Sequence, residues 1–339
     1  MRRVDNPPNP FAAIEREWLD EPPPAELEVF EDSSQEILSA NTSPDLPFRW
    51  SVNPYRGCTH ACAYCYARPT HEYLGFGAGT DFDTKIVVKP RAPELLRASF
   101  MRPSWRGELV VFSGNTDCYQ PLESTWRLTR RCLEVCNEFR NPVGVITKSP
   151  LVERDLDLLL ELHRHASVRV FASIPFADDA IGRAIEPRVA PVSRRFETLR
   201  RLAAAGIPTG VSVAPLIPGL NDADIPRILE RAREAGALYA QCVLLRLPGS
   251  VRDVFLSRLR AALPERAARV ENRIRDVRAG KLDDSRFFAR QRGAGIYWDM
   301  IERQWELHTR RLGFSARRNG EFDNQTTTFQ RPKLQPELF

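Results

Sequence analysis

From about residue 48 onward, short apolar runs alternate with longer segments whose apolar residues recur at helical spacing. The runs are rich in Val, Ile and Phe and are bounded by Gly, Pro or polar residues, which is typical of buried strands. The intervening segments predict helices, and the alternation of strand and helix favours an α/β fold with a parallel sheet. Strands are predicted in this way at 48–53, 109–113, 143–147, 168–173, 210–214 and 239–246.

Two local signals place helix starts within this pattern. Ser149, followed by Pro150 at the first helical position, predicts a capped helix through about His163. Asn221 is predicted to cap a helix that runs to Gly236. Periodicity alone fits a partial barrel, an eightfold barrel or an open sheet equally well. Further helices are predicted at 124–139 and 193–205.

The chain divides by composition into a central α/β region and two flanks. The N-terminal flank is acidic and rich in Pro, and we expect its first 35 residues to be a loosely ordered arm. The C-terminal flank is helical and then polar, with Phe322, Phe329 and Phe339 as predicted anchors of a wrapping tail. The predicted regions are an arm over 1–47, a core over 48–250, a helical extension over 251–314 and a polar tail over 315–339.

The formal net charge is +5, but it is distributed unevenly along the chain. Acidic side chains outnumber basic ones over 1–50, and basic ones outnumber acidic ones over 246–318. A basic C-terminal face would suit a polyanion such as nucleic acid. A GC-rich codon bias towards Arg, with many of the charges paired along helices, explains the same composition, so charge alone leaves this partner open.

The composition also predicts a compartment. The N-terminus lacks the apolar core of a signal peptide. No uninterrupted apolar run reaches the roughly 18 residues of a membrane span, so no membrane partner is predicted. The 7 cysteines are an odd number, with three crowded into one loop, which argues against a secreted disulfide framework. We therefore expect a cytoplasmic protein.

The most informative motif is the segment Cys58-Thr-His-Ala-Cys62-Ala-Tyr-Cys65, which follows the first predicted strand. Its C-x3-C-x2-C spacing brings three thiolates close enough to converge on one inorganic centre. A structural zinc site needs four protein ligands, and an electron-transfer cubane is usually held by four cysteines. Three cysteines on a cubane leave one iron open. His60 or His71 as a fourth ligand would instead make a zinc site, so a non-enzymatic zinc or iron–sulfur binding module is an alternative.

With Tyr64 and Tyr66 flanking the last cysteine, this loop resembles that of the radical S-adenosylmethionine (SAM) superfamily. The resemblance implies a [4Fe–4S] cluster on Cys58, Cys62 and Cys65, with the open iron chelating the amino and carboxylate groups of SAM. It implies that Tyr64 and Tyr66 lie near the cluster and the adenine. It also implies a partial (β/α)6 TIM-like barrel of parallel strands, here with a helical, basic C-terminal extension.

The resemblance implies a reaction as well. In the superfamily, one electron from the reduced cluster cleaves SAM to methionine and a 5′-deoxyadenosyl radical, which abstracts hydrogen from a substrate. The protein's own tasks are binding, orientation and the exclusion of water and oxygen. An electron donor such as flavodoxin or ferredoxin would serve as a partner.

The turn after the second predicted strand resembles the Thr-Asp-Pro-like turn of the spore photoproduct lyase branch. The chain lacks the Gly-Gly-Glu-like motif that commonly binds the amino group of SAM at this position. The resemblance implies that Thr116 and Asp117 contact SAM, with a helix cap as the alternative for Asp117. That branch keeps a hydrogen-donor cysteine where this chain has Gly114, so lyase activity is in doubt. Cys118 is a candidate catalytic hydrogen donor or a small buried residue.

Polar residues at the next two strand ends extend the candidate SAM site. Lys148 matches a lysine that the branch directs at the SAM carboxylate, which suits the charge of both groups. Ser173 matches a small polar contact to SAM. Glu186 and Arg195 lie where the family often has ribose contacts. The remaining cysteines, Cys132, Cys136 and Cys242, are predicted to be core residues.

Three functions remain open from the sequence. The chain is a radical SAM enzyme acting on nucleic acid, a radical SAM enzyme acting on a protein or small metabolite, or the binding module described above. Aromatic residues of the extension, such as Tyr297 and Phe314, would suit base stacking. The spacing of Trp298, Ile301 and Trp305 is helical, however, and favours a core stripe.

Overall fold

The computed structural model describes residues 6–11, 25–315 and 327–332. Within these ranges the strands form one seven-stranded and one three-stranded sheet. The strands are β1 (Glu28–Glu31), β2 (Leu38–Ala40), β3 (Trp50–Val52), β4 (Tyr55–Arg56), β5 (Lys85–Val88), β6 (Val110–Phe112), β7 (Val143–Thr147), β8 (Val168–Ser173), β9 (Thr209–Leu216) and β10 (Tyr239–Leu244).

The larger sheet has the strand order β10-β9-β8-β7-β6-β3-β2. The strands from β3 to β10 in this sheet are mutually parallel, and only β2 runs antiparallel, beside β3. These parallel strands are the six predicted from the sequence, so the parallel α/β fold is confirmed. The end strands β2 and β10 do not pair with each other among the described residues, so the sheet is an open, partial barrel.

Alternate residues of each parallel strand face opposite sides of this sheet. In β8, Val168 and Val170 lie in the apolar core between the sheet and its helices. Arg169 and Phe171 face the other side, where the Arg169 guanidinium and the Phe171 ring both pack on the Tyr239 ring of β10. A Cβ on Gly210 would lie only 2.4 Å from the Phe171 ring, so a glycine is required where that ring crosses β9.

Helices alternate with strands along the chain, as the pattern predicts, and continue beyond the last strand. They are α1 (Thr80–Thr84), α2 (Ala92–Met101), α3 (Glu123–Trp126), α4 (Leu128–Glu138), α5 (Leu156–His163), α6 (Asp179–Ile185), α7 (Val192–Ala204), α8 (Ile225–Glu234), α9 (Val251–Ala262), α10 (Pro264–Asp276) and α11 (Ile296–Arg311). Short 3₁₀ turns occupy Arg68–Leu74, Pro150–Asp155, Asp222–Asp224 and Ala289–Gln291. None of the helices in the described ranges has the length and apolar character needed to cross a membrane.

The two predicted caps have different outcomes. The Ser149 hydroxyl accepts a hydrogen bond from the Leu151 amide at 3.2 Å, which confirms that cap. The prediction for Asn221 is wrong, because its buried side chain is used elsewhere. Its Oδ1 accepts from the Ile217 amide at 2.7 Å and its Nδ2 donates to the Pro175 carbonyl at 2.7 Å. Asn221 therefore joins two loops and does not start α8.

Two strands of the N-terminal flank add to the sheets. Strand β1 pairs with β5 in the small sheet β1-β5-β4, and β2 forms the edge of the large sheet. β1 lies within the segment expected to be loosely ordered. All four of its residues are exposed. The sequence of β1 therefore lacks the alternation of buried apolar and exposed polar residues by which a strand is recognised. Residues 1–5 and 12–24 of the expected arm lie outside the described residues.

The C-terminal flank packs on the core as a helical extension. Trp298 and Ile301 of α11 are buried in the main core and Trp305 packs against it, which confirms the core-stripe prediction. In the described part of the tail, the Phe329 ring lies against Phe100 and Phe139, as expected of an anchor. The predicted anchors Phe322 and Phe339 lie outside the described residues.

Candidate active site

The cysteine loop leaves the carboxyl end of β3 and passes through β4 before reaching Cys58. Gly57 has a φ of +77°, and a Cβ there would lie 2.8 Å from the His71 ring, so this entry requires glycine. The Cys58 amide donates to the Phe82 carbonyl at 3.0 Å. Cys58 and Cys62 are buried and Cys65 is half-buried, and all three thiols are free.

Side chains from the turn after β6 hold the start of this loop. The Thr116 hydroxyl donates to the Gly57 carbonyl at 2.7 Å. Gln120 donates to the same carbonyl at 3.2 Å and accepts from the Thr59 amide at 3.1 Å. The structure therefore places Thr116 against the loop backbone, beside the cysteines that the sequence singled out.

Asp117 connects the loop to the end of β7. Its carboxylate accepts from the Thr147 hydroxyl at 2.7 Å and from the Lys148 amide at 2.8 Å, and it lies 3.4 Å from His60 Nδ1. Burial would raise the pKa of Asp117, but these contacts, those of His60 above all, lower it to about 2. Asp117 is thus an ionised bridge between the cysteine loop and the neighbouring strand end.

A second set of side chains meets around Tyr64. The Tyr64 hydroxyl donates to Glu186, whose other oxygen accepts from Arg195 Nη2 at 2.5 Å. Arg195 also donates to the Ser173 carbonyl at 3.0 Å. The fold therefore brings Tyr64, Ser173, Glu186 and Arg195 together, and the pair Glu186–Arg195 holds Tyr64 in place. Burial and the Glu186 charge raise the pKa of Tyr64, so the phenol stays protonated.

Lys148 lies beside this set, with Nζ 5.7 Å from the centre of the Tyr64 ring. Burial opposes the charged form of Lys148, but Cys62, Glu186 and Asp117 nearby raise its pKa. Within the described residues its ammonium group makes no hydrogen bond or ion pair. Lys148 is therefore a charged, half-buried donor that remains free for a ligand.

Tyr66 faces a different neighbourhood, which includes the helical extension. Its hydroxyl donates to the Gly114 carbonyl, and the Arg246 guanidinium lies over its ring at 5.5 Å. Arg246 follows β10 and makes no hydrogen bond or ion pair within the described ranges. Burial lowers the pKa of Arg246, and the charge of the nearby Arg290 adds to this shift. Arg290 itself is paired with Asp45.

Beyond Arg290 the surface ends in two exposed aromatic rings. Phe287 and Phe288 are 53% and 59% exposed, and the Arg290 guanidinium lies 4.8 Å from the centre of the Phe287 ring. The Phe288 amide donates to Asp45 at 3.0 Å, with Phe288 in the left-handed region at φ +64°. We call Tyr66, Arg246, Phe287, Phe288 and Arg290 the rim strip.

Two other predicted positions have buried side chains. Cys118 is fully buried in the apolar core beside Phe112 and Tyr119, and burial raises the pKa of its thiol. Its role as a hydrogen donor stays a prediction. His71 is buried with Nε2 2.7 Å from the Lys85 carbonyl, and packs on Phe82. Cys132 and Cys136 are core residues, as predicted.

The donor chemistry of the cysteine loop fits an iron–sulfur cluster. Cys58, Cys62 and Cys65 are free thiols on one loop, two of them buried, and cysteine thiolates are the usual ligands of such clusters. Within the described ranges, no three His, Cys, Asp or Glu side chains are placed to hold a single metal ion.

The comparisons with known proteins identify the family of this chain. The sequence model of the radical SAM superfamily matches residues 52–232. Because this is more than half of the chain, the chain belongs to the radical SAM superfamily and is an enzyme of that class. The resemblance stated from the cysteine loop is thereby confirmed, and the non-enzymatic binding module is not supported.

Particular relatives show how far the similarity extends. The uncharacterized protein Rv2578c of Mycobacterium tuberculosis is 40% identical over 226 residues, which are 66% of this chain and 66% of that protein. The radical SAM Nalpha-GlyT isomerase of Pseudomonas phage M6 is 23% identical over 210 residues, or 61% of this chain and 42% of the isomerase. The matched stretches thus cover no more than about two thirds of the length of either relative.

Among solved structures, spore photoproduct lyase complexed with dinucleoside spore photoproduct has a similar fold. The TM-score is 0.59 at 16% identity, and the match covers 84% of this chain and 78% of that chain. At this identity the similarity concerns the fold. It supports the expected partial barrel, which the open parallel sheet of this chain also displays.

The sequence did not identify three kinds of residue that build the site. Gln120 supports the loop from one turn beyond Thr116, and its proximity to the predicted turn is the one signal that points to it. Arg68 and Asp83 form a buried ion pair at 2.8 Å behind the cysteines. Arg246 and Arg258 come from the far end of the chain and carry no local motif.

Proposed function

We propose that this enzyme binds a [4Fe–4S] cluster through Cys58, Cys62 and Cys65 and cleaves SAM reductively to act on nucleic acid. When bound and reduced, the cluster supplies the electron that opens the SAM sulfonium and so gives a hydrogen-abstracting radical. The chain's residues hold both groups, orient the substrate and exclude water. A cytoplasmic electron donor such as flavodoxin or ferredoxin belongs to the same proposal.

The contacts around Tyr64 support a SAM site beside the cysteines. Lys148 offers an unpaired ammonium group to the SAM carboxylate, with the Tyr64 ring close to it. Ser173 joins the same set through its contact with Arg195. A charge-assisted hydrogen bond in a half-buried site is stronger than one in water. Thr116 and Asp117 bind backbone groups in the structure, so we propose that they act on SAM by fixing the loop and the Lys148 backbone.

The rim strip is the observation that favours nucleic acid as the substrate. It begins at Tyr66, next to the ligand Cys65, and ends at two exposed phenylalanines. Aromatic rings stack on bases of any sequence, and an arginine fork binds phosphate in a bidentate manner. Arg246 has no carboxylate partner within the described residues and is therefore free to take a phosphate. The strip thus offers stacking surfaces and an unpaired cation along one line from the cysteine loop.

The cofactor part of the proposal is tested by anaerobic reconstitution with iron and sulfide. After reduction, the EPR spectrum is recorded with and without SAM, and 5′-deoxyadenosine is measured in the same tube. A cubane signal that changes with SAM, together with released deoxyadenosine, is the expected result. Zinc without sulfide, or a cluster whose signal ignores SAM, would refute it.

The substrate part is tested by oligonucleotide binding to the reconstituted enzyme. Phosphate contacts predict that affinity falls steeply between about 50 and 200 mM salt. Arg246→Gln should weaken binding and reduce the slope of log K against log salt by about one, because one phosphate contact is lost. Arg286→Gln is the control, since Arg286 is exposed and paired with Asp284. Salt-independent or absent binding would favour a protein or small metabolite as the substrate.

A further inference from the structure

A buried pair of arginines grips the backbone of the cysteine loop from behind. Arg258, on helix α9 of the extension, donates from Nη1 to the Ala61 carbonyl at 2.6 Å. Its other terminal nitrogen bonds the buried carboxylate of Asp83. Ala61 and Arg258 are 197 residues apart in sequence. The extension therefore reaches into the loop between the first two cysteines.

Arg68 grips the next residue of the loop in the same way. It donates from Nη2 to the Cys62 carbonyl at 2.7 Å and to the opposite oxygen of Asp83 at 2.8 Å. Arg68 and Asp83 are fully buried, and Arg258 is nearly so. One carboxylate thus orients two guanidinium groups towards two consecutive carbonyls of the loop. We call Arg68, Asp83 and Arg258 the arginine clamp.

The loop conformation explains why such donors are required. Ala61 has a φ of +57°, a left-handed conformation that residues with a Cβ adopt rarely. The chain therefore turns sharply between Cys58 and Cys62. The Cys62 carbonyl also accepts from the Cys65 amide at 3.4 Å, and Arg258 gives the Ala61 carbonyl its side-chain donor. Buried carbonyls without partners are costly, so the donors of the clamp stabilise this turn over alternatives.

We propose that Arg258 is a positioning residue that holds the cysteine loop in its cluster-binding conformation. Arg258 acts through the Ala61 carbonyl and Asp83, the two groups that its guanidinium contacts. The inference rests on the cluster part of the proposed function and is independent of the substrate.

The clamp also adds charge next to the cluster ligands. Two guanidinium groups and one carboxylate leave one net positive charge behind Cys62, in a region closed to solvent. Reduction makes a cluster more negative, and net charge around a cluster is one of the terms that set its potential. The clamp should therefore make the cluster easier to reduce, so its loss should shift the midpoint potential to more negative values.

The test compares Arg258→Met and Arg258→Lys with Arg252→Met in the full-length chain. Arg252 lies on the same helix but is 53% exposed and pairs with its neighbour Asp253. Each variant is reconstituted anaerobically. Iron release to a chelator is then timed, and the midpoint potential is measured by EPR redox titration. Thermal melts of the apo chains show whether each variant is folded.

Arg258→Met should release iron about tenfold to a hundredfold faster than wild type, as is usual when a supporting contact of a metal site is lost. Its potential should shift to more negative values. Arg258→Lys keeps the charge but lacks the fork that serves Ala61 and Asp83 together. Its potential should therefore stay near that of wild type while its iron release is accelerated. Arg252→Met should match wild type in both measurements.

Equal release rates and potentials for Arg258→Met and Arg252→Met would overturn the inference. If Arg258→Met does not melt cooperatively, Arg258→Lys decides, and a release rate equal to that of Arg252→Met would overturn the proposal. A wild-type chain that takes up neither iron nor sulfide would overturn the cluster assignment itself. That outcome is distinct from a loaded cluster that does not depend on Arg258.

Discussion

The cysteine loop and the rim strip meet at adjacent residues, Cys65 and Tyr66, but are built in opposite ways. The loop is fixed by contacts from the turn after β6, from β7 and from α9, and its charged supports are buried in pairs. The rim strip has exposed rings and an arginine without a partner in the described residues. Buried, paired supports suit a site that must hold one cofactor rigidly, whereas exposed rings and an unpaired arginine suit a surface that receives varied substrates.

The largest expected effect is the loss of a proposed cluster ligand in the cysteine loop. Cys62→Ala should abolish iron and sulfide uptake on reconstitution, because a cubane held by two cysteines lacks a needed thiolate. The apo chain should remain folded by circular dichroism. Cys242→Ala, at a half-buried cysteine far along the chain, is the control and should load normally. Full occupancy in Cys62→Ala would remove Cys62 from the ligand set.

Breaking the buried ion pair Glu186–Arg195 should lower the stability of the folded chain. Arg195→Met leaves Glu186 buried without its cation, which should lower the free energy of unfolding of the apo chain by about 3 kcal/mol. Arg201→Met removes an arginine of the same helix that is 53% exposed, and should cost less than about 1 kcal/mol. Urea unfolding measures both. Equal losses of unfolding free energy in Arg195→Met and Arg201→Met would show that the buried pair contributes no more to stability than an exposed pair.

Removing the Lys148 ammonium group should weaken SAM binding and leave the cluster content unchanged. Lys148→Met should weaken SAM binding by about 2 kcal/mol, or roughly thirtyfold, the usual range for a hydrogen bond to a charged group. Binding is measured by the SAM-dependent change of the EPR signal, with Lys281→Met at an exposed lysine as the control. Unchanged SAM affinity at full cluster content would exclude the contact with the carboxylate.

The smallest effect is expected from the loss of one aromatic ring of the rim strip. Phe287→Ala should weaken oligonucleotide binding by about 1 kcal/mol, the lower end for one stacked base, without altering cluster content or unfolding. Leu307→Ala, at an apolar residue of α11 that is 61% exposed, should leave affinity unchanged. Titration by fluorescence anisotropy distinguishes them. If both variants bind alike, stacking at Phe287 plays no part in recognition.

The parallel strands β7 and β8 were predictable because both of their faces are largely buried. β7 and β8 read as short, nearly continuous apolar runs for this reason. The edge strand β1 is exposed along its whole length and leaves no such signal. Asn221 has the residue type and position of a helix cap, but its side chain instead bonds the preceding residue Ile217 and the distant Pro175.

The candidate site follows the same division between local and distant information. The cysteines are recognisable from their spacing, and Lys148 and Ser173 from their places at strand ends, which a parallel sheet gathers at one edge. Arg246 and Arg258 lie in a region where basic residues are common, so neither stands out. Their roles depend on which partners the fold supplies or withholds, and composition contains no such information.

The contact between Arg258 and Ala61 also has a consequence for the order of events during protein synthesis. The three cysteines leave the ribosome early, while the residue that completes their support is translated almost two hundred positions later. Synthesis proceeds at about 5–20 residues per second, so the thiols precede their last support by tens of seconds. During that interval the cysteine loop lacks its contact from α9, which can form only after that helix has emerged.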